Sequence, residues 1–349
     1  MPINRPWLAA FALPALFISP ALGSPALWAQ MATKAATIPV PLGLIPVQFP
    51  KDNPYTPEKA ALGKLLYFDP RLSADNSVSC ASCHSPEFAF TDGKAVSSGI
   101  KAQKGGRSAP TVINRAYSLN QFWDGRAKTL EEQAGGPLQN SIEMGNTHEG
   151  VVKSIRGIAG YRPLFAKAFG SDEINIDLTT KAIATYERTV LSGNSAYDRY
   201  KAGNKRALNA AQVRGMDIYF NKAKCDQCHE GVNFTLNSYN NLGVGTDKPV
   251  PDAGRHDVTK NDADWGSFKT PTLRDIARTA PYMHDGSLAT LEAVVDFYNE
   301  GGIKNKNLDE KIKPLNLSKA EQTDLVAFLK SLNGEGWLAQ HQPPKRFPQ

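Results

Sequence analysis

Two copies of a Cys-x-x-Cys-His motif contain the residues with the most distinctive chemistry in the chain. They are Cys80-Ala-Ser-Cys83-His84 and Cys225-Asp-Gln-Cys228-His229. This spacing is typical of c-type haem attachment, in which both thiols bond to the haem vinyl groups and the histidine ligates iron. A redox pair needs no histidine, and a zinc site would need further ligands. All four cysteines of the chain lie in these motifs, so we expect two covalently bound haem c groups.

The composition permits two domains of ordinary size. The chain has 349 residues, of which 41% are hydrophobic, and domains commonly contain about 150 residues. The formal net charge is +6, but four haem propionates would cancel most of it. No basic segment is interleaved with aromatic residues, so the charge is weak evidence for nucleic acid binding.

The first 30 residues have the features of an export signal. Arg5 precedes an apolar stretch over residues 7–18, and small residues such as Gly23 and Ala29 follow. An uncleaved anchor is the alternative, but three prolines interrupt the segment and disfavour a membrane-spanning helix. Because c-type haem is attached outside the cytoplasm, we expect a cleaved signal at residues 1–30 and a periplasmic protein.

The rest of the sequence predicts a mainly α fold with long loops. Residues 31–55 are rich in proline and predict a lead-in segment on the surface. Helix N-cap signals flank the motifs at Thr56, Thr129, Thr147, Asn209, Thr290 and Ser318. Gly135-Gly136-Pro137 is expected to end one of these helices early. Residues 234–268 lack periodicity and predict a loop that wraps a haem edge or gates a partner surface.

A repeat relates the two halves of the chain. Three motifs recur with one offset of 161 residues (271 minus 110): Pro110-Thr111, Trp123-Asp124-Gly125 and Thr129-Leu130-Glu131 return as Pro271-Thr272, His284-Asp285-Gly286 and Thr290-Leu291-Glu292. We therefore predict an internal duplication of one haem-binding unit. The predicted boundaries are 56–205 for the first haem domain, 206–335 for the second and 336–349 for a tail.

The repeat also distinguishes the two predicted haem sites. Tyr298 in the second unit corresponds to Pro137 in the first, and a phenol can ligate iron whereas proline cannot. The second haem would then have His229 and Tyr298 as ligands, while the first would have His84 and an open position. A tyrosine on the apolar face of its helix is also an ordinary core residue, so the pattern alone leaves both interpretations open.

Polar residues beyond the first motif could act on peroxide. Glu143 could take and return a proton, Gln133 could orient the bound molecule, and Trp123 could pass an electron between the haems. Each residue also has a structural interpretation, on the surface for the two polar residues and in the core for the tryptophan. Met144 offers another alternative, because a thioether ligand on the first iron would give an electron carrier without catalysis.

Over residues 50–335 the chain resembles the bacterial di-haem cytochrome c peroxidase family. The resemblance is carried by the first haem motif and by four other segments, Phe68-Asp69-Pro70-Arg71-Leu72-Ser73, Ala89-Phe90-Thr91-Asp92-Gly93, Gln121-Phe122-Trp123-Asp124-Gly125-Arg126 and Pro281-Tyr282-Met283-His284-Asp285-Gly286. It implies two cytochrome c-like domains, with a peroxidatic first haem and an electron-transferring second haem. It also implies that Trp123 lies between the haems and that Gln133 and Glu143 line the peroxide pocket.

Two departures from the family pattern resemble its MauG-like branch. Tyr298 replaces the methionine ligand of ordinary members, and no histidine occurs between His84 and His148 to cap the first iron. In that branch the second haem has histidine and tyrosine ligands, and the enzymes oxidise residues of a partner protein. The resemblance therefore implies Tyr298 as an iron ligand and a first haem that is open without prior reduction.

The resemblance also implies a calcium ion between the domains. The family's carbonyl ligands correspond to Thr279 and Pro281, while Ser108 replaces an asparagine, whose amide oxygen is a better calcium ligand. His284 is expected near the edge of the second haem and not on its iron. Three further histidines are expected on the surface, namely His148, His256 and His341.

Two enzymatic functions follow from this resemblance. The protein would reduce hydrogen peroxide with electrons from a small cytochrome c or a cupredoxin, or it would oxidise tryptophan or tyrosine residues of a partner protein. A non-catalytic di-haem electron-transfer protein is the alternative from another class. We also expect a homodimer, no nucleic acid partner and no stable membrane span after signal cleavage.

Overall fold

The computed structural model describes residues 37–349, so the predicted export signal at residues 1–30 lies outside the described residues. The longer helices are α1 Pro57–Phe68, α3 Leu130–Gln139, α4 His148–Arg156, α5 Tyr161–Phe169, α6 Ile176–Glu187, α7 Ala196–Lys201, α8 Ala210–Asp217, α10 Leu291–Glu300 and α11 Lys319–Lys330. Single-turn helices are α2 Cys80–Cys83, α9 His256–Thr259 and α12 Trp337–Gln340, and the strands are β1 Tyr239–Asn241 and β2 Ser267–Lys269. The mainly α class predicted from the sequence is confirmed.

The first hydrophobic core forms where α1 crosses α6. The predicted cap holds, since the Thr56 hydroxyl accepts a bond from the Lys59 N–H at 3.1 Å and Pro57 follows at the first helical position. At the crossing, a Cβ on Gly63 would collide with the carbonyl of Ala182. Glycine therefore allows the two backbones to approach closely. Fully buried side chains of both helices, including Leu66 and Ile183, pack around this contact.

The second hydrophobic core repeats this arrangement with α8 and α11. A Cβ on Gly215 would collide with the carbonyl of Asp324, again at the point where the two helices cross. Tyr219 and Phe328 are fully buried beside this crossing, and Val295 of α10 closes the core. Each half of the chain thus has its own core built on a glycine-mediated helix crossing.

The segments between the helices also match in local geometry. Phe122 and Met283 both have positive φ, 66° and 73°, and each begins a turn that ends at a positive-φ glycine. Isolated antiparallel bridges flank both turns, at Gln121 with Ala127 and at Tyr282 with Leu288. These matched geometries support the predicted duplication. The domain boundaries stay a prediction, which the two separate cores support.

Helix α3 continues past the point at which the sequence predicted its end. The prediction that Gly135-Gly136-Pro137 ends the helix was wrong, because α3 runs to Gln139. A proline within a helix removes one N–H donor and disfavours the preceding turn. Here the proline lies near the last turn, and the fully buried Leu138 holds that turn against the first core. Tertiary packing thus overrides the local signal.

The long segment at residues 234–268 contains regular structure that its sequence does not signal. Strands β1 and β2 pair in antiparallel register, with Asn240 opposite Phe268. Both residues line the cavity beside the second haem motif. The segment therefore forms part of the wall of that cavity, and its predicted role at a haem edge or a partner surface stays a prediction.

The C-terminal segment at 336–349 packs against the first core, although it follows the second unit in sequence. Trp337 is a buried member of the first core, and the Gly160 N–H donates to the Gln349 carbonyl at 2.7 Å. The prediction of His341 on the surface was wrong, because its ring is buried between Phe90 and Tyr186. This return of the chain buries a histidine that no local pattern marks. No helix in the described part of the chain is long and apolar enough to span a membrane.

Candidate haem sites

The first motif lies in the wall of a cavity of about 500 Å³. Cys80 and Cys83 open and close the single turn of α2, and both line the cavity together with His84. The His84 Nδ1 lies 3.3 Å from the Phe90 carbonyl oxygen. A ring that donates from Nδ1 to this carbonyl keeps Nε2 available for a metal ion. The Tyr67 hydroxyl donates to the His84 carbonyl at 2.8 Å and fixes the motif to α1.

The second motif has the same supports beside a smaller cavity of about 240 Å³. Cys225, Cys228 and His229 line it. The His229 Nδ1 lies 3.0 Å from the Phe234 carbonyl oxygen, and the Tyr219 hydroxyl donates to the His229 carbonyl at 2.6 Å. Both motifs therefore present two thiols and one oriented imidazole to a cavity.

These donor sets fit haem c. Burial lowers the pKa of both histidines, to about 4 for His229, which keeps the imidazoles in the neutral form that binds iron. All four thiols are free and are therefore available for thioether bonds. Cys80, Cys83 and His84 would hold the first haem, and Cys225, Cys228 and His229 would hold the second.

Tyr298 lines the second cavity together with His229, and its ligation of the second haem stays a prediction. It is on α10, the helix that Thr290 caps by accepting a bond from the Ala293 N–H at 3.1 Å. Burial raises the pKa of its phenol. Pro137 of α3, the corresponding residue, lines the first cavity. The structure therefore provides a phenol in one cavity and no ligand atom at the corresponding position of the other.

The predicted peroxide residues also gather in the first cavity. Gln133 of α3 and Glu143 in the following turn both line it. Burial raises the pKa of Glu143, an effect that nearby Arg126 opposes. His84 is the only histidine among the described residues that line this cavity. Met144 lines it too, as a buried residue, so the alternative of a thioether ligand is not removed.

Trp123 lines both cavities. Its indole Nε1 donates to the Ser108 carbonyl at 2.8 Å, and its own carbonyl accepts from the Lys269 N–H at 2.7 Å. The side chain therefore stands in the partition between the two haem sites, in a fixed orientation. His284 lines only the second cavity and stacks on Phe268 with ring centroids 3.6 Å apart.

The predicted calcium ligands lie around one cavity, and no hydrogen bond in the described part of the chain joins them directly. Ser108, Thr279 and Pro281 all line the second cavity. The described residues contain no group of three or more His, Cys, Asp or Glu side chains that could hold a metal ion. This finding concerns side chains only, whereas the predicted calcium ligands include backbone carbonyl oxygens. The calcium site therefore stays a prediction.

Three charged residues at the cavities have no sequence signal comparable to the haem motifs. Glu187 of α6 and Arg115 line the first cavity, Arg115 also lines the second, and Lys269 of β2 lines the second. Glu187 could have been noticed as an acid next to the apolar residues Ile183 and Tyr186 of an amphipathic helix. The positions of Arg115 and Lys269 depend on the folding of loops and could not.

Two cysteine–histidine cavities on a helical frame define a c-type di-haem protein. The family model described as di-haem cytochrome c peroxidase matches residues 57–206. The chain is 43% identical over 292 residues to methylamine utilization protein MauG of Methylorubrum extorquens, covering 83% of this chain and 82% of that protein. It is also 43% identical over 300 residues to cytochrome c551 peroxidase of Nitrosomonas europaea, covering 85% and 84%.

A solved structure has the same fold. The crystal structure of a MauG-like protein associated with microbial copper homeostasis matches with a TM-score of 0.82 and 37% identity, covering 88% of this chain and 99% of that one. The chain therefore belongs to the di-haem cytochrome c peroxidase family. This confirms the predicted family, the oxidoreductase class and two haem c groups. The chain is equally similar to a MauG and to a peroxidase, so sequence identity does not distinguish between the activities of these two relatives.

Proposed function

We propose that this protein is an exported, periplasmic peroxidase that reduces hydrogen peroxide at the first haem with electrons relayed through the second. The observation that carries this proposal is the asymmetry of the cavities. The first is lined by Gln133 and Glu143, and its only histidine among the described residues is His84, whereas the second is lined by Tyr298 in addition to His229. Bound haem supplies the iron and the redox chemistry. Two electrons and two protons convert one peroxide into two waters.

Glu143 is the proton-transfer residue in this proposal. A carboxylate can take the proton from the near peroxide oxygen and return it to the leaving oxygen. Its raised pKa brings it closer to neutral pH, which favours both steps. The Gln133 amide orients peroxide through a hydrogen bond, and Trp123 provides an oxidisable side chain in the partition.

A specific observation favours a second candidate function. Tyr298 lies in the cavity of His229, and ligation by this pair is the feature that the MauG-like branch implies. The protein would then use its oxidising equivalents on a tryptophan or tyrosine of a partner protein. In the peroxidase proposal the partner is instead a small cytochrome c or a cupredoxin.

The remaining details belong to the same proposal. We include export, a homodimer and a calcium ion at Thr279, Pro281 and Ser108. A non-catalytic electron carrier is the competing outcome, in which Met144 and not peroxide occupies the sixth position of the first iron.

Low-temperature EPR of the ferric protein and of Tyr298→Phe tests the arrangement. We expect one high-spin and one low-spin haem, with the low-spin signal altered by the substitution. Two low-spin haems that the substitution leaves unchanged would contradict both the open first iron and Tyr298 ligation. Turnover of peroxide with a reduced small cytochrome c then separates the peroxidase from the protein-oxidising enzyme.

A further inference from the structure

Lys269 is a buried cation that has no carboxylate partner among the described residues. Lys269 is the last residue of β2 and is 3% exposed to solvent. The ammonium donates once, to the Asn120 carbonyl at 2.8 Å, whereas an ammonium has three donors. Buried lysines are normally paired, because an isolated buried charge is costly. Burial lowers the pKa of Lys269 well below its usual value.

Arg115, in the partition between the cavities, is a half-buried cation that also has no ion pair, although the charge of Glu187 acts on it electrostatically. Arg115 lines both cavities, and its one side-chain hydrogen bond runs to the Ser118 hydroxyl at 3.3 Å. No Asp or Glu of the described residues lies within ion-pair distance of its guanidinium. It is also close enough to Lys269 to depress the pKa of that ammonium. Two like charges thus face the cavities near one another.

Three other buried or half-buried arginines in the described part of the chain are paired with carboxylates. Arg274, which is 1% exposed, bonds to Asp198 at 2.5 Å, and Arg188 bonds to Glu131 at 2.6 Å. Arg107, near the same partition, bonds to both Asp124 and Asp252 at 2.6 Å. Lys59 is also buried without a carboxylate partner, but its ammonium donates to the Asn53 amide oxygen at 3.1 Å and it lines neither haem cavity. Lys269 and Arg115 differ in lining the haem cavities, and this placement indicates that an anionic group of the cavities' occupants pairs with them.

We propose that Lys269 and Arg115 form a carboxylate-binding site in the partition and that they bind ionised haem propionates. Lys269 binds a propionate of the second haem, because it lines the second cavity and not the first. Arg115 binds a propionate at the wall that both cavities share. Lys269 also donates its backbone N–H to the Trp123 carbonyl, so the same residue fixes the tryptophan segment and a haem edge. The inference depends on haem binding and not on the activity proposed above.

The test compares holoprotein variants by resonance Raman spectroscopy and spectroelectrochemistry. We expect Lys269→Met to shift a propionate bending band to lower frequency, because the band reports hydrogen bonds to the carboxylate. We also expect it to lower the midpoint potential of the second haem, since a lost positive charge favours ferric iron. Lys269→Arg should restore both properties. Arg115→Gln should shift a propionate band independently.

Lys313→Met provides a matched control. Lys313 lines the same cavity but is exposed, so water solvates its charge and its loss should leave the propionate bands unchanged. Lys269→Gln replaces Lys269→Met if the latter does not yield holoprotein. Propionate bands equal to those of the wild type in Lys269→Met or Lys269→Gln, and in Arg115→Gln, would overturn the proposal and leave the two cations with a structural role alone.

Discussion

The two haem units share a frame and differ in the walls of their cavities. In both, a tyrosine hydroxyl from the preceding helix holds the carbonyl of the haem histidine, Tyr67 for His84 and Tyr219 for His229. Both frames depend on a glycine at a helix crossing. The frame thus orients the attachment motif in the same way twice, and it does not by itself distinguish the chemistry of the units.

The walls differ at corresponding positions. Gln133 and Pro137 of the first cavity correspond, 161 residues later, to Val294 and Tyr298 of the second, and all four line their cavities. Glu187 and Leu329 also correspond. The crossing glycines Gly63 and Gly215 contact Ala182 and Asp324, and each of the two wall residues lies five positions after that contact. Glu187 and Leu329 both line cavities as well. A few substitutions at these positions therefore replace Gln133, Pro137 and Glu187 of the first cavity by two aliphatic side chains and a phenol in the second.

The largest effect is expected from Glu143→Gln, which removes the carboxyl group to which we assign proton transfer. Peroxide turnover should fall by about 10²–10⁴-fold, the range for general acid–base catalysis. Because burial raises the pKa of Glu143, wild-type activity should decline as the pH falls through that pKa. This decline should begin at a higher pH than an exposed glutamate would give.

Steady-state rates across pH measure both effects. Glu149→Gln is the control, since Glu149 is exposed on α4 and does not line the cavity. Unchanged turnover in Glu143→Gln, or an acid decline that persists in the variant, would assign the proton transfer to another group.

A second comparison concerns Glu187 and Leu329. Burial raises the pKa of Glu187 to about 8 from 4.5, and one carboxyl oxygen has no partner among the described residues. Ionisation therefore disfavours the folded state. Stability is retained below the ordinary glutamate pKa and lost as the pH rises from about 4.5 through about 8, by about 5 kcal/mol at 1.36 kcal/mol per pKa unit.

Glu187→Gln should remove this loss and make the variant more stable than the wild type near pH 8. Denaturant unfolding of the holoprotein, followed by circular dichroism at pH 5 and pH 8, measures the difference. Glu149→Gln should leave the pH dependence of the wild type unchanged. An identical pH dependence in the wild type and Glu187→Gln would mean that Glu187 is compensated in the folded protein.

The difference between these residues shows what could be predicted from the sequence. Cys80, His84 and Tyr298 line the haem cavities, and they can be proposed as site residues from the sequence because local spacing and the repeat point to them. The sequence predicts a surface position for His341, which is wrong, and gives no signal for the burial of Lys269. The surroundings of both residues come from segments that are far away in sequence. Even the end of α3 depended on the packing of Leu138 and not on Pro137. Residues in local motifs can therefore be predicted from the sequence. The burial and charge environment of a residue cannot, because its neighbours in space are set by the fold.

The shared frame can be tested at its two glycines. Gly63→Ala and Gly215→Ala should each destabilise the protein by about 1–3 kcal/mol, because the added methyl group would overlap a backbone carbonyl. Denaturant unfolding measures both, and Gly106→Ala is the control because a Cβ there has open space. Similar losses would support the duplication, whereas a loss in only one variant would show that the crossings are not equivalent.

The smallest activity effect is expected from Gln133→Val, which gives the first cavity the residue found at the matching position of the second. The substitution removes one hydrogen bond to bound peroxide and leaves Glu143 in place. Peroxide turnover should fall about tenfold, since a hydrogen bond contributes roughly 1.5 kcal/mol. Gln139→Val, at the exposed end of the same helix, controls for helix propensity. A loss as large as that of Glu143→Gln would mean that the amide has more than an orienting role. Unchanged turnover would show that the amide of Gln133, which Val294 replaces in the second unit, does not contribute to peroxide reduction.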